Sequence, residues 1–436
     1  MSFKEKAADV MGHVAYRITN QKYIMAIKQA FVTLMPIIIT GAFAVLVANM
    51  IMSPETGLAH FEIFRFLAEL QPIMKAINYA TLNFLTIGAV FLIGIELGKI
   101  NGHKSLFPGL MALISFISVI PTTLLLEVDG SMREVVDVLA RQFSDPKSLF
   151  LGMIIAIVSV EIFCKLTEVK WLQIKMPDSV PLNVATSFSS LFPSIITITI
   201  ISSFGFAFHR VTGIYLHEAV YNVVQRPLES VVQGLPGILT LMFVAQFFWV
   251  IGIHGNQMIK PIREPLLLGS IAVNMTAFQE GKEIPNIITM PFWDVYMSIG
   301  GSGVTIGLLI AIFIAGRREE MRSIAKLSSG PGLFNINEPV IFGLPVMLNP
   351  VMAIPFIVTP LVTGTIGYIA TATGFAGKAV VMVPWTTPPL VNAWLSTAGS
   401  MGAVITQLIC IVVAVFIYLP FVLLSNRKPE AAPDSE

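Results

Sequence analysis

The chain has 436 residues, 55% of them hydrophobic and 12% charged, with a formal net charge of +1 and a mean hydropathy of +0.79. Soluble domains carry about 25% charged residues, so this composition excludes a soluble globular protein. The net charge says nothing about nucleic acid, but the sequence has no basic tract of the kind such binding needs, so no nucleic-acid partner is expected.

Apolar runs of helix-spanning length recur from end to end, among them PIIITGAFAVLVANMIM (36–52) and AVITQLICIVVAVFIYL (403–419). A bilayer core about 30 Å thick takes about 20 such residues per helix, and only helices or a closed barrel satisfy the backbone in lipid. The runs are too long and too uniformly apolar for barrel strands. The chain is therefore an all-α integral membrane protein.

In chain order, residues 1–23 are polar and mixed in charge. They lack the apolar core and cleavage site of a signal peptide, so the first membrane helix is expected to be its own insertion signal. Spans are expected near 30–52, 77–98, 105–126, 148–164, 184–208, 235–253, 264–280, 292–316, 350–373 and 401–425. Cytoplasmic loops collect Lys and Arg, and with ten crossings both termini lie inside. The inside segments then hold eighteen of the 27 Lys and Arg residues, Lys260 and Arg263 among them. The seventh span, EPLLLGSIAVNMTAFQEG, is the marginal one, because it is short and carries Asn274. Omitting it would place RREEMRSIAK (317–326) outside, against the charge rule; nine crossings, or eight with re-entrant segments, are the alternatives. Between spans five and six, GIYLHEAVYNVVQRPLESVVQG reads as a surface helix or as a connector within the bundle.

Residues 1–210 contain 9 prolines and residues 211–436 contain 18. Proline breaks helices, and broken backbone at membrane depth is tolerated only when protein buries it or it lines a watery cavity. Residues 1–210 are therefore expected to be a scaffold and residues 211–426 the cavity-forming, substrate-binding part, with 427–436 a disordered cytoplasmic tail. Cys164 and Cys410 fall in no metal spacing and read as small buried hydrophobes.

Three stretches could carry chemistry. In GLFNINEPVIFGLPVMLNP (332–350), Glu338 is the one acid between Glu320 and Glu430. An ionisable group at membrane depth costs about 2.5–3.5 kcal/mol even on the mild insertion scale. It therefore serves a substrate hydroxyl, a proton or a counter-charge, unless it is an acid at a cytoplasmic mouth reached by water. Asn and Gly favour turns and the residue before Pro avoids the helical region, so the run disfavours a plain helix start. In FFWVIGIHGNQMIKPIREP (247–265), His254 sits between Gly252 and Gly255, close to Trp249. It is either a ligand group or a structural hydrogen-bonder. In VPWTTPPLVNAWLSTAG (383–399), Trp385, Trp394, Asn392 and the Thr386–Thr387 pair suit the faces and hydroxyls of a sugar, although Trp also collects at membrane interfaces. Together these residues fit a neutral polyhydroxylated ligand. The sequence has no phosphate-binding loop, no metal cluster and no nucleophile motif, and no extramembrane stretch long enough for a soluble domain. No cofactor or metal is expected, and the energy for transport comes from an ion gradient or another polypeptide. A membrane-embedded enzyme using His254 as a base is disfavoured for want of a nucleophile or metal.

The chain resembles enzyme IIC (EIIC), the sugar permease of the bacterial phosphoenolpyruvate-dependent phosphotransferase system, in its lactose, cellobiose and diacetylchitobiose branch. The resemblance runs through AIKQAFVTLMPIIITGAF, IKMPDSVPLNVATSFSSLFP, FFWVIGIHG, GGSGVTIGLLIAIFIA, GLFNINEPVIFGLPVMLNP and IYLPFV. It implies ten transmembrane helices in the bacterial inner membrane, a homodimer formed through the N-terminal half, and two re-entrant hairpins in a C-terminal substrate domain. It further implies that Glu338 and His254 bind near the C6 hydroxyl of a β-linked disaccharide; from the three stretches themselves, Trp249, Gly255, Asn256, Asn337 and Trp385 are expected to contact it. A phosphocysteine on a separate soluble EIIB, charged through EIIA and HPr, then phosphorylates the sugar. Asn256, Gln257 and Asn392 could tune sugar choice. The competing expectation is a secondary transporter in which Glu338 and His254 carry a coupling proton.

Overall fold

A computed structural model describes residues 21–54, 57–128, 131–144, 148–174, 176–177, 180–252, 254–344, 346 and 349–426. The expected tail 427–436 and the basic residues Lys4, Lys6, Arg17 and Lys175 lie outside the described residues. The backbone forms two compact units, one of residues 21–44 and 71–230, the other of residues 45–70 and 231–426. The change of unit after residue 230 comes later than the change in proline content at 210, and residues 45–70 join the C-terminal unit.

The N-terminal unit contains α1 (Lys22–Leu46), α2 (Gln71–Leu82), α3 (Leu85–Ile100), α4 (Phe107–Ser118), α5 (Leu149–Thr167) and α6 (Leu191–Thr212). Helices α3, α4 and α5 pack on one another, and α6 lies against α4 and α5. Their contact faces are built from small residues: α3 buries Ala89, Gly94 and Gly98, while α4 buries Gly109, Ala112 and Ser115. In lipid, where apolar surface gains nothing by leaving water, such residues let helices approach closely enough for dispersion to hold them. At one end, Lys22 Nζ meets Glu161 Oε1 at 2.6 Å, and Asn101 Nδ2 donates to the same oxygen at 3.0 Å.

The helix expected over 105–126 ends at Ser118. Pro121 keeps Ile120 out of the helical region. The chain then runs extended into an antiparallel pair, Leu124–Val128 with Ser131–Val135, the one β-sheet among the described residues. The stretch between spans five and six is helical, as Leu216–Val220, a π turn Tyr221–Gln225, and Arg226–Gln233.

The C-terminal unit contains α7 (Leu235–Val250), α8 (Gly255–Gln279), α9 (Thr305–Ala315), α10 (Glu319–Leu333), α11 (Glu338–Gly343), α12 (Pro350–Ala372) and α13 (Met401–Ser425). Between them, 280–304 and 373–400 hold only short helical turns, the broken backbone that the proline content implies. α13 packs on α9 and α12, α7 on α8 and α12, and α10 on α9 and α11. Their shared core includes Trp249, Leu308, Ile312, Met321, Val340, Ile341, Phe356 and Tyr418.

Seven of the expected spans coincide with stretches long and apolar enough to cross a membrane, the one near 292–316 being interrupted at 298–301, and the bent pair Leu216–Gln233 and Leu235–Val250 makes an eighth. The expected third span is the short α4. The expected seventh is α8, which starts at Gly255 rather than 264 and takes in Lys260, Arg263 and Glu264. Arg263, expected in a cytoplasmic loop with Lys260, is instead buried, with its guanidinium 4.8 Å over the Trp293 ring. Glu264 is buried too, and Lys260 reaches it at 3.3 Å, one helical turn away. The helix starts early because His254 caps it and Gly255 lets it close on α7.

Asn274, the polar residue that made this span marginal, is fully buried and fully used. Its Nδ2 donates to the carbonyls of Asn286 and Ala379, each at 2.8 Å, and its Oδ1 accepts from Asn286 N at 2.9 Å. One amide thus ties α8 to two helix-poor segments. Asn274→Leu strands these backbone groups at about 1–3 kcal/mol each. The expected result is a loss of at least about 3 kcal/mol, read as a lowered melting temperature of the detergent-solubilised protein.

Candidate functional site

Helix α7 ends by burying Trp249 in the core. The chain turns through Gly252, at φ +91°, and His254 caps α8: Gln257 N donates to His254 Nδ1 at 3.4 Å. The Trp249 and His254 rings lie 4.1 Å apart between centroids, at 43°. A Cβ at Gly255 would stand 1.7 Å from the carbonyl oxygen of Ala245, so only glycine allows the start of α8 to lie backbone to backbone against α7.

Glu338 arrives from the other side. Helix α10 ends at Leu333, and the chain breaks over 334–337 with Asn335 at φ +61°. The break takes in Asn335 and Asn337, as these turn-favouring residues led one to expect, but Gly332 lies inside α10 and Glu338, the residue before Pro339, is helical rather than extended. A helix nevertheless opens at Glu338, because Pro339 occupies a first-turn position where its missing N–H costs nothing. Val340 and Ile341 of this short helix and Trp249 sit in the same core, which fixes Glu338 and His254 on a common support.

The two side chains face each other with His254 Nε2 3.9 Å from Glu338 Oε1, and they are 40% and 48% exposed. That separation exceeds a direct hydrogen bond of 2.7–3.2 Å, yet one hydroxyl oxygen can reach both. Because Nδ1 accepts from Gln257, the neutral ring carries its proton on Nε2. The gap therefore offers one donor and one acceptor, the two partners a single hydroxyl group uses.

The remaining expected residues divide. Asn337 is buried, and its Nδ2 donates to Ser302 O at 2.7 Å and Thr305 Oγ1 at 3.2 Å. Asn256 Nδ2 donates to Ser302 Oγ at 2.8 Å. Trp385 has a half-exposed ring, and its carbonyl accepts from Asn335 Nδ2 at 2.7 Å. Asn392 is buried and accepts from Gln407 at 2.9 Å, so its Oδ1 is already used within the fold. Asn335 and Ser302 were not among the expected site residues. Asn335 accepts from Gly300 N at 2.7 Å and also donates to Thr387 O at 3.0 Å. A Gly-Gly-Ser-Gly run inside an apolar segment was the signal for both, since it marks a turn that polar neighbours must satisfy.

The sequence and fold have clear relatives. A family model described as "Phosphotransferase system, EIIC" matches residues 28–360. The lichenan permease IIC component of Bacillus subtilis (strain 168) is 34% identical over 94% of this chain and 90% of its own length. A cellobiose-specific EIIC component from Geobacillus stearothermophilus is 30% identical over 97% of this chain and 94% of its own. The crystal structure of the transporter ChbC, the IIC component from the N,N'-diacetylchitobiose-specific phosphotransferase system, superposes with a TM-score of 0.88 at 32% identity, covering 95% of each chain. Full-length likeness in sequence and fold, in a multi-pass helical membrane protein, leads to one conclusion: this chain belongs to the EIIC family, the membrane permease components of the phosphotransferase system.

Proposed function

We propose that the chain binds and translocates a β-linked disaccharide, cellobiose or diacetylchitobiose, and presents its C6 hydroxyl to a soluble EIIB for phosphorylation. The observation that carries this reading is the donor–acceptor gap between His254 Nε2 and Glu338 Oε1. The names of relatives specific for cellobiose and N,N'-diacetylchitobiose support the sugar class. In this reading His254 donates to the hydroxyl oxygen and Glu338 accepts its proton as the phosphoryl group leaves the EIIB phosphocysteine. The new bond joins sugar oxygen to phosphorus, the sulfur–phosphorus bond breaks, and EIIB leaves as the thiolate. EIIA and HPr recharge EIIB. The functional chain is a homodimer paired through residues 1–210, with both termini cytoplasmic and 211–426 as its substrate domain.

The test uses purified protein in vesicles with labelled cellobiose or diacetylchitobiose, with the phosphoryl-donor proteins added or withheld. Uptake that requires donors and ends as the 6-phosphate supports the proposal. Unmodified sugar accumulating without donors along a proton gradient overturns it in favour of a proton-coupled transporter.

A further inference from the structure

The block GGSGV (300–304) holds the densest cluster of positive-φ residues among the described residues, four of its five positions. Gly300, Gly301, Gly303 and Val304 have φ of +71°, +98°, +75° and +55°. A branched side chain in that region is a genuine outlier, and such strain persists only where the surroundings over-determine it. Here they do. Asn335 Oδ1 accepts from Gly300 N at 2.7 Å, Thr305 Oγ1 donates to Gly300 O at 2.6 Å, and Tyr418 donates from α13 to Gly303 O at 2.6 Å. A Cβ at Gly301 would lie 2.4 Å from Asn337 Cγ, and one at Gly303 2.3 Å from the Phe356 ring.

The residue at the middle of this turn is gripped twice. Asn256, two residues after His254, holds the Ser302 hydroxyl at 2.8 Å. Asn337, the residue before Glu338, holds the Ser302 carbonyl at 2.7 Å. The sequence neighbours of both facing groups thus end on one buried serine, although the three segments are far apart in the chain. We infer that the strained 300–304 turn is the spacer that sets the His254–Glu338 separation, with Ser302, Asn256 and Asn337 as positioning residues. On this view the two asparagines act by spending their amide donors on the turn rather than on sugar. The inference rests on the proposed role of the His254–Glu338 gap, and a misplacement of about 1 Å there is enough to cost up to 10²-fold in rate.

The experiment compares wild type with Ser302→Ala, Asn256→Ala and the double variant in vesicles supplied with donor proteins. It measures kcat and KM for phosphosugar formation, equilibrium sugar binding without donors, and melting temperature. The expected result is a loss of roughly tenfold or more in kcat, with KM and sugar binding within about twofold and melting temperature lowered by no more than the loss of one hydrogen bond explains. The double variant is expected to be no worse than the poorer single, because both remove the same bond, and Ser302→Thr is expected to restore kcat. If Ser302→Ala does not fold, Asn256→Ala decides, since it cuts the same bond from a half-buried side chain. A raised KM with unchanged kcat would make the asparagines sugar contacts and overturn the inference. So would wild-type kinetics, or a fall in binding and melting temperature parallel to kcat. Glu338→Gln in the same assay separates the two levels. If it abolishes phosphorylation while Ser302→Ala does not change kcat, only the spacer role falls; if Glu338→Gln is active, both readings fall.

Discussion

Glu338→Gln is expected to leave disaccharide binding within a few-fold of wild type while lowering phosphosugar formation by at least about 10²-fold, the smaller end of what a positioned general base contributes. Glutamine keeps the shape of the side chain and can still accept a hydrogen bond from the sugar hydroxyl, so recognition survives. It cannot take a proton, so the developing charge on the attacking oxygen has no sink. His254 does not substitute, because its Nδ1 is held by Gln257 N and its Nε2 carries the proton. Equilibrium binding of labelled sugar and the rate of 6-phosphate formation, measured side by side, check this. Equal losses in both would make Glu338 a binding residue only.

The second large effect belongs to Gly255→Ala. The added methyl would meet three backbone atoms of Ala245: the oxygen at 1.7 Å, the carbonyl carbon at 2.6 Å and Cα at 3.1 Å. No rotamer change relieves a clash with backbone, so α8 must move off α7. Overpacking in a closed core costs about 1–3 kcal/mol when side chains can shift, and here the cost falls at or above the top of that range. Movement of α8 also carries His254, its capping residue, away from Glu338. The expected outcome is a clearly lowered melting temperature together with a loss of phosphosugar formation of about 10²-fold. Thermal unfolding in detergent and donor-dependent uptake check the two halves separately, and a wild-type melting temperature would contradict the packing argument.

Much of this architecture is legible in the sequence, for identifiable reasons. Apolar runs of bilayer length leave no other fold class, and an acid isolated in such a run marks itself by the cost of putting it there. The proline-rich half does contain the broken backbone, at 280–304 and 373–400, although Pro331, Pro355, Pro360 and Pro420 sit inside helices, so proline content marks the half and not the individual breaks. His254 could be singled out by its glycines and neighbouring Trp249, but its orientation could not, since that depends on a hydrogen bond from Gln257 N. The role of Ser302 is invisible locally, because its partners come from residues 256 and 337. The same holds for Asn274: its burial in an apolar helix implies partners, but which ones depends on the fold bringing 286 and 379 to it. The early end of α4 and the early start of α8 were misplaced because hydropathy averages over a window. Pro121 and the His254–Gly255 cap act at single positions.

The burial of Arg263 and Glu264 within α8 bears on how the chain is assembled during synthesis. A helix with these charges near its start is a poor candidate for handing itself to lipid as it leaves the ribosome, on any scale of insertion energies. Lys260 covers Glu264 from within the same helix, whereas the aromatic face that covers Arg263 belongs to Trp293, which is translated later. The cover of Arg263 is therefore complete only once the segment carrying Trp293 has been made, so the burial of α8 depends on a part of the chain that follows it.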